Sequence, residues 1–241
     1  DRWFSPVDIQ TGPDGNLYVA DFHARQVAHY IAYSKGLTDS DLGRVYRLKA
    51  KGSSTFQLGK PFAEESLLET ALRHPNRWHR ETALRLLGDQ KNSQWIPLLR
   101  KTLREESGQA ALQALWAIKL CGGFGQEVAL ENLNHPNAHV RRWTVRLLGD
   151  QGEVSPGTAK ALIKLAKNEP DAETRSQLAA TARRLPPKDA LPILGQLGKD
   201  EEDHRDPHLP LMIWWGFEEH ANDHASILNH FNKPENWNQG T

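Results

Sequence analysis

The pattern of apolar and polar residues divides the chain into a β part and an α part. Up to about residue 48, apolar and polar side chains alternate in short runs, which is typical of half-buried strands. We predict strands at Pro6 to Ile9, Leu17 to Asp21, Val27 to Tyr33 and Arg44 to Leu48, with a Gly-Pro-Asp-Gly turn after the first. Three or four antiparallel strands of this length make one blade of a β-propeller.

After residue 60 the period becomes that of an α-helix. Apolar residues between Phe62 and Leu72 fall on one face of a helix that ends before Pro75. Five helix pairs follow: 77–87 with 94–104, 108–120 with 126–133, 138–148 with 156–167, 172–185 with 188–197, and 207–219 with 223–231. Two helices in each interval of about 30 to 35 residues are typical of HEAT-like repeats.

A duplicated segment supports the repeat. The hexapeptide Arg-Leu-Leu-Gly-Asp-Gln begins at Arg85 and again at Arg146, 61 residues later. The same offset separates two His-Pro-Asn segments, which begin at His74 and His135. Self-similarity at a fixed period indicates stacked repeats, in which each helix pair buries its apolar face against its neighbours.

Small residues and glycines are given packing and capping roles. Small side chains on successive first helices are expected to permit close helix approach, at Ala83, Ala114, Thr144 and Ala179. Gly88 and Gly149 are predicted to end their helices as left-handed C-caps, where alanine at 88 would cost about 1 kcal/mol. The leucines of the hexapeptides are assigned to the core.

The fold prediction is therefore a mainly α protein with a small β part. Residues 1–48 are predicted to form a partial propeller blade, 49–60 a linker, and 61–241 an α-solenoid of HEAT-like helix pairs. An isolated sheet leaves its edges and faces uncovered. We expect the β part to lean on the helices or on further blades of a longer parent protein.

Composition limits the function classes. The 30 basic and 30 acidic side chains cancel, so we expect no nucleic-acid partner. The single cysteine, Cys121, excludes an internal disulfide, a CxxC zinc site and a CxxCH haem attachment. No apolar run approaches 18 residues, so we expect no membrane segment in this chain. Because the sequence opens at Asp1 without Met or a basic leader, we expect it to be cut from something longer.

Three arginines each follow a proline by five residues, at Arg80, Arg141 and Arg175. The structural interpretation is that each guanidinium bonds an acidic side chain or a loop carbonyl of the adjacent unit. The functional alternative is an anion-binding ladder of the kind that helical-repeat proteins use to bind nucleic acid. Zero net charge argues against the second.

The last predicted helix pair contains two further groups of interest, a pair of histidines and two tryptophans. His220 and His224 have the i, i+4 spacing of metal ligands, but no third ligand has a defined spacing and Asn222 and Asp223 indicate a helix break, so we predict no metal site. For the tryptophans of the apolar run 209–215, we predict that one packs inside the last pair while the other covers the solenoid end or contacts another domain.

The β part carries a family resemblance. The segments 3–8 (Trp-Phe-Ser-Pro-Val-Asp), 12–21 (Gly-Pro-Asp-Gly-Asn-Leu-Tyr-Val-Ala-Asp) and 43–47 (Gly-Arg-Val-Tyr-Arg), together with His29, resemble the last propeller blade of the putative membrane-bound dehydrogenases of the Planctomycetes and Verrucomicrobia type. In that family a propeller similar to sugar and sorbosone dehydrogenases precedes HEAT-like repeats, often with a cytochrome c module after them. Residues 206–215 are a second similar stretch.

The resemblance implies a periplasmic or exported parent that uses pyrroloquinoline quinone, calcium or haem c, although this chain has no CxxCH and no other blades. Asp21, His23 and His29 are then candidates to face a cofactor channel. The alternatives are that Asp14, in Pro-Asp-Gly, forms a turn, that Asp21 caps a strand end and that His29 is a buried, hydrogen-bonded histidine. No cofactor is expected in this chain itself.

Our leading hypothesis is a non-catalytic scaffold or protein-interaction module whose partner is another domain of the parent or another protein. The first alternative is part of a quinone- or haem-linked sugar or alcohol dehydrogenase whose channel includes the blade. The second is nucleic-acid binding by the arginine ladder. No GxSxG, Walker A, GxGxxG or HExxH motif is present, and no catalytic residue is assigned.

Overall fold

The computed structural model describes residues 4–23, 30, 34–36, 42–52, 62–200 and 202–234. Contacts divide the chain into two compact units, Asp1–Gln90 and Lys91–Thr241. The first unit therefore combines the β part with the first two described helices. The division into 1–48, 49–60 and 61–241 stays a prediction.

The first unit contains a three-stranded antiparallel sheet, in the order β1 (Pro6–Thr11), β2 (Leu17–Asp21) and β3 (Arg44–Leu48). These are three of the strands that the alternating pattern predicts. Leu17 pairs with Leu48 at one end of the β2–β3 ladder. The fourth predicted strand, Val27 to Tyr33, lies outside the described residues except for Tyr30.

Asp14 organises the turn between β1 and β2. Its carboxylate accepts hydrogen bonds from the backbone N–H of Asn16 (3.0 Å) and the hydroxyl of Tyr18 (3.1 Å), and it pairs with Arg47 of β3 at 2.5 Å. The hydrogen bonds from Asn16, followed by the effects of Tyr18 and Arg47, outweigh desolvation and lower the pKa of Asp14 to about 2. One carboxylate thus joins the turn to two strands.

Two helices complete the described part of this unit, α1 (Glu64–Arg73) and α2 (Arg77–Gln90). The apolar face predicted between residues 62 and 72 is buried in α1, at Leu67, Leu68, Ala71 and Leu72. From α2, Ala83 and Leu87 are fully buried. The two helices pack against each other.

The sheet is tied to the start of α2 by polar side chains. Asn76 accepts a hydrogen bond from the backbone N–H of Trp78, and its amide donates to the carbonyl of Gly12 at 2.9 Å. His79, at the start of the same helix, places Nε2 2.8 Å from the carbonyl oxygen of Pro13. The turn before β2 thus contacts α2, while most side chains of β1 and β3 stay exposed.

The second unit consists of α3 (Ile96–Glu105), α4 (Gly108–Leu120), α5 (Gln126–Asn132), α6 (Ala138–Gly149), α7 (Pro156–Asn168), α8 (Ala172–Ala182), α9 (Pro187–Leu197), α10 (Leu209–Glu219) and α11 (His224–Phe231), with short 3₁₀ helices at Ser93–Trp95 and Glu202–Arg205. The first helices α4, α6, α8 and α10 pack side by side in one layer, and the second helices α5, α7, α9 and α11 form the other. This is a helical solenoid, and the fold-class prediction is confirmed. Among the described helices none is long and apolar enough to span a membrane.

Small residues lie where neighbouring helices approach most closely. Ala114, Thr144 and Ala179 are fully buried on α4, α6 and α8. On α10 the close contact is made by Gly216, because a Cβ built there would lie 2.5 Å from the Cδ2 of Leu194. Close packing of this kind makes each first helix specific for its neighbours.

The capping prediction for the two hexapeptide glycines is wrong. Gly88 lies inside α2, and Gly149 is the last residue of α6, and neither has a positive φ. The left-handed residues come three positions later, at Lys91 (φ 49°) and Gly152 (φ 74°). The Gly149 position is explained by packing instead, because a Cβ there would lie 2.9 Å from the Cγ2 of Thr181 on α8. The cost expected for alanine at 88 therefore loses its basis.

Replacing Gly216 by alanine should destabilise the second unit by about 1–3 kcal/mol, because the added methyl group overpacks the buried Leu194. The matched control is Gly157→Ala on α7, where the nearest atom lies at 3.5 Å and alanine favours helix. Urea unfolding of both variants measures the difference. Equal midpoints for the two variants would contradict the close contact at Gly216.

Candidate protein-interaction groove

The loops before successive first helices are joined by arginines that are largely buried. Arg141 of α6 donates from Nε and Nη2 to the two carboxylate oxygens of Glu169, at 2.7 and 2.5 Å. Its Nη1 donates to the carbonyls of His135 and Pro136 in the loop before its own helix. The bidentate pair with Glu169 raises the pKa of Arg141 above its ordinary value.

Arg175 repeats the arrangement one unit further along. Its guanidinium donates to both carboxylate oxygens of Asp203, at 2.6 and 2.5 Å, and to the carbonyl of Glu169 at 2.9 Å. Glu169 therefore takes part in two contacts: its carboxylate accepts hydrogen bonds from Arg141, and its backbone carbonyl accepts one from Arg175. We call this set of contacts the arginine staples.

Arg80, the first of the three arginines, lies in the first unit. Its Nη1 donates to the carbonyls of His74 and Pro75, at 2.7 and 2.9 Å. The loop-carbonyl contact is therefore common to all three positions. Because the guanidinium groups of Arg141 and Arg175 are occupied by carboxylates, the staples offer no support for a phosphate-binding ladder at these two residues.

The two histidines considered as metal ligands do not share a helical face. His220 follows the end of α10, is buried, and places Nε2 3.1 Å from the carbonyl oxygen of Ala182. His224 begins α11 after a break capped by Asp223, whose carboxylate accepts from the backbone N–H of Ser226. Among the described residues no three potential metal ligands come together.

The prediction that one tryptophan of α10 packs inside the last pair is wrong. Trp214 is 63% exposed and Trp215 is 43% exposed. The buried positions of α10 are Leu209 and Gly216, and the small Gly216 leaves room for Leu194 rather than for an indole. Both tryptophans are consequently on the surface of the second unit.

Asp21 and His23 form a buried pair at the end of β2. The Asp21 carboxylate accepts from the backbone N–H groups of Ser5 (2.7 Å) and His23 (2.9 Å), and lies 3.3 Å from the His23 Nδ1. Desolvation raises the pKa of Asp21, but the hydrogen bonds from Ser5 and His23 lower it overall. His23 has the unusual φ of 45° for a residue other than glycine. The third blade candidate, His29, lies outside the described residues.

A surface groove is lined mainly by residues of the first helices α6, α8 and α10. We call it the first-helix groove. It consists of two hollows of about 530 and 300 Å³, which share Ala180 and Met212. The larger hollow is lined by Ala180, Arg183, Arg184, His208, Leu211, Met212, Trp215 and Glu219, and the smaller by Arg142, Trp143, Arg146, Glu173, Ser176, Gln177, Ala180 and Met212.

Aromatic and basic side chains are prominent in this groove. Trp143 is held edge-on by Trp116 of α4, with ring centroids 4.9 Å apart, and the guanidinium of Arg146 lies 5.3 Å from the Trp143 ring. The half-buried Arg142 pairs with the exposed Glu173 at 3.3 Å. No ion pair is recorded for Arg146 within the described part of the chain.

Sequence reasoning missed the first-helix groove, because its residues come from three helices and no local pattern shows that they meet. One local signal was present. Trp143 and Arg146 are three residues apart, so they occupy the same side of a helix, and a tryptophan on an otherwise charged face is unusual. The same argument applies to Leu211 and Trp215, which are four apart.

The fold and the groove define a class of protein: a helical-repeat solenoid of the kind that acts as a protein-interaction scaffold. Comparison with known families agrees at this level. Residues 126–206 match the HEAT repeats family, and residues 1–52 match a domain of unknown function, DUF7133. No curated protein matches the chain.

Removing the carboxylate of Glu169 should cost about 3 kcal/mol in the free energy of unfolding, since Glu169→Ala leaves a largely buried guanidinium without its counter-charge. The control is Glu173→Ala on the neighbouring helix, whose exposed pair with Arg142 is worth less than about 1 kcal/mol. Chemical denaturation measures both. If the two variants lose equal stability, the staples are not a structural requirement.

Proposed function

We propose that this chain is a non-catalytic scaffold that binds another protein, or another domain of its parent, in the first-helix groove. The observation that supports this proposal is that tryptophans and arginines line the two connected hollows of the groove. Such residues dominate the energetics of protein interfaces. In the loops before the first helices, by contrast, the arginines are already bound to carboxylates and carbonyls. Isolated exposed apolar residues need no explanation; the support for a binding site here is that aromatic and basic side chains line the same hollows.

The groove has the features of an anchor site. Trp143 is fixed by its contact with Trp116, so binding would cost it little side-chain freedom. Ala180 keeps the crossing between the two hollows open because it has almost no side chain. The pairs Arg142–Glu173 and Arg183–Glu219 stand at the rim, where charges set orientation more than affinity.

We further propose that the parent protein is an exported, propeller-containing dehydrogenase-like protein. The support is the resemblance of the first fifty residues, which are the residues that match DUF7133, and the ordered Asp21–His23 pair at the end of β2. The cofactors of such a parent follow from the resemblance alone, and no step through a quinone, calcium or haem is derived for this chain.

The groove proposal predicts that one tryptophan matters for binding and its neighbour does not. Trp215→Ala should lower the affinity for groove partners by at least about 10-fold, because Trp215 lines the groove. Trp214→Ala is the control, since Trp214 is exposed but does not line it. Capture from an extract of the source organism, followed by mass spectrometry, identifies proteins retained by the native chain and by Trp214→Ala. A set unchanged by Trp215→Ala would contradict the proposal.

The scaffold proposal also predicts that the purified chain does not oxidise sugars. Dye-linked activity should equal the background with and without added pyrroloquinoline quinone and calcium, because any channel would need the other blades. A quinone-dependent sugar dehydrogenase serves as the positive control for the assay. Turnover above background would instead support the enzymatic alternative, with His23 as the first residue to replace.

A further inference from the structure

We propose that the occupant of the first-helix groove is an acidic peptide segment in an extended, polyproline-II-like conformation, with apolar side chains at every third position. This inference rests on the proposed function and specifies the partner. Three features of the groove support it: the charge of its lining, the contact of Arg146 with a tryptophan ring rather than with a carboxylate among the described residues, and the spacing of the two hollows.

The lining of the groove is locally basic in a chain of zero net charge. It includes four arginines and two glutamates, and with Asp150, which pairs with Arg184, an excess of one positive charge remains. Three of the arginines already have a carboxylate partner: Arg142, Arg183 and Arg184 pair with Glu173, Glu219 and Asp150. A bound segment with carboxylates is electrostatically complementary to this lining.

Arg146 is the cation best placed to meet such a carboxylate. It is exposed and lies against the Trp143 ring, and no ion pair is recorded for it within the described residues. Stacking on an indole leaves the N–H edges of a guanidinium available to a carboxylate. Arg146 and Trp143 together therefore present one charged and one apolar contact in the smaller hollow.

The spacing of the hollows indicates the conformation of the occupant. They lie over consecutive first helices, and packed helices are about 8–10 Å apart. In a polyproline-II helix three residues span about 9 Å and return the side chain to the same side. A β-strand returns its side chains at two or four residues instead, about 7 or 13 Å. Apolar residues at i and i+3 thus match Trp215, which lines the larger hollow, and Trp143, which lines the smaller one.

The experiment uses the full chain and a fluorescein-labelled peptide, (Leu-Asp-Pro)₄, in an anisotropy titration at low salt. Two peptides of the same length are compared with it: (Leu-Lys-Pro)₄, and a peptide of identical composition with its leucines adjacent. The expected result is binding of the first at least 10-fold tighter than of either comparison peptide. Affinity should fall as salt rises, since Arg146 and its neighbours are exposed.

Arg146→Glu should weaken binding of the acidic peptide at least 10-fold. The matched control is Arg85→Glu: Arg85 opens the same hexapeptide on α2, is exposed, and belongs to the other unit. Equal binding by native chain and Arg146→Glu would overturn the inference, and so would preference for the lysine or rearranged peptide, or no binding at all. In those cases the scaffold function would still be supported if Trp215→Ala fails to capture the proteins that the native chain retains.

Discussion

The arrangement of the second unit depends on the bidentate contacts between arginines and carboxylates of neighbouring loops. Carbonyl groups in the loop before a first helix need donors, and a guanidinium supplies several from one side chain. Arg141 and Arg175 each satisfy carbonyls of their own loop and a carboxylate 28 residues ahead. Because Glu169 accepts hydrogen bonds from both Arg141 and Arg175, these contacts together fix the position of one first helix relative to the next.

This constraint distinguishes two sets among the described arginines of the second unit. In the staples, Arg175 is buried and Arg141 largely so, and their donors are used by carboxylates and carbonyls. The arginines of the first-helix groove are at the surface and have weak pairs, or in the case of Arg146 a ring contact. Loop-edge arginines thus hold the helices in register, and groove arginines are available to a partner. The same side chain serves structure or recognition according to its burial.

Features that depend on a single helix or strand could be predicted from the sequence. Features that are set by the contact between two elements could not. Strand and helix positions follow from the period of apolar residues, because each buried position leaves its mark on the local pattern. The role of Gly149 could not be predicted, since it is set by Thr181, which approaches from another helix. The exposure of Trp214 and Trp215 has the same cause, because the space at Gly216 is filled by a leucine from α9.

The first-helix groove was hidden for a related reason. A repeat makes equivalent positions look alike, so the hexapeptides suggest equal roles for Arg85 and Arg146. The residue three positions earlier is Thr82 in one copy and Trp143 in the other. Only the second copy has an indole on which the guanidinium can stack. Residues shared by the copies build the scaffold, whereas the positions at which the copies differ are where a solenoid acquires a specific surface. In this chain the difference at Trp143 carries more functional information than the identical hexapeptides.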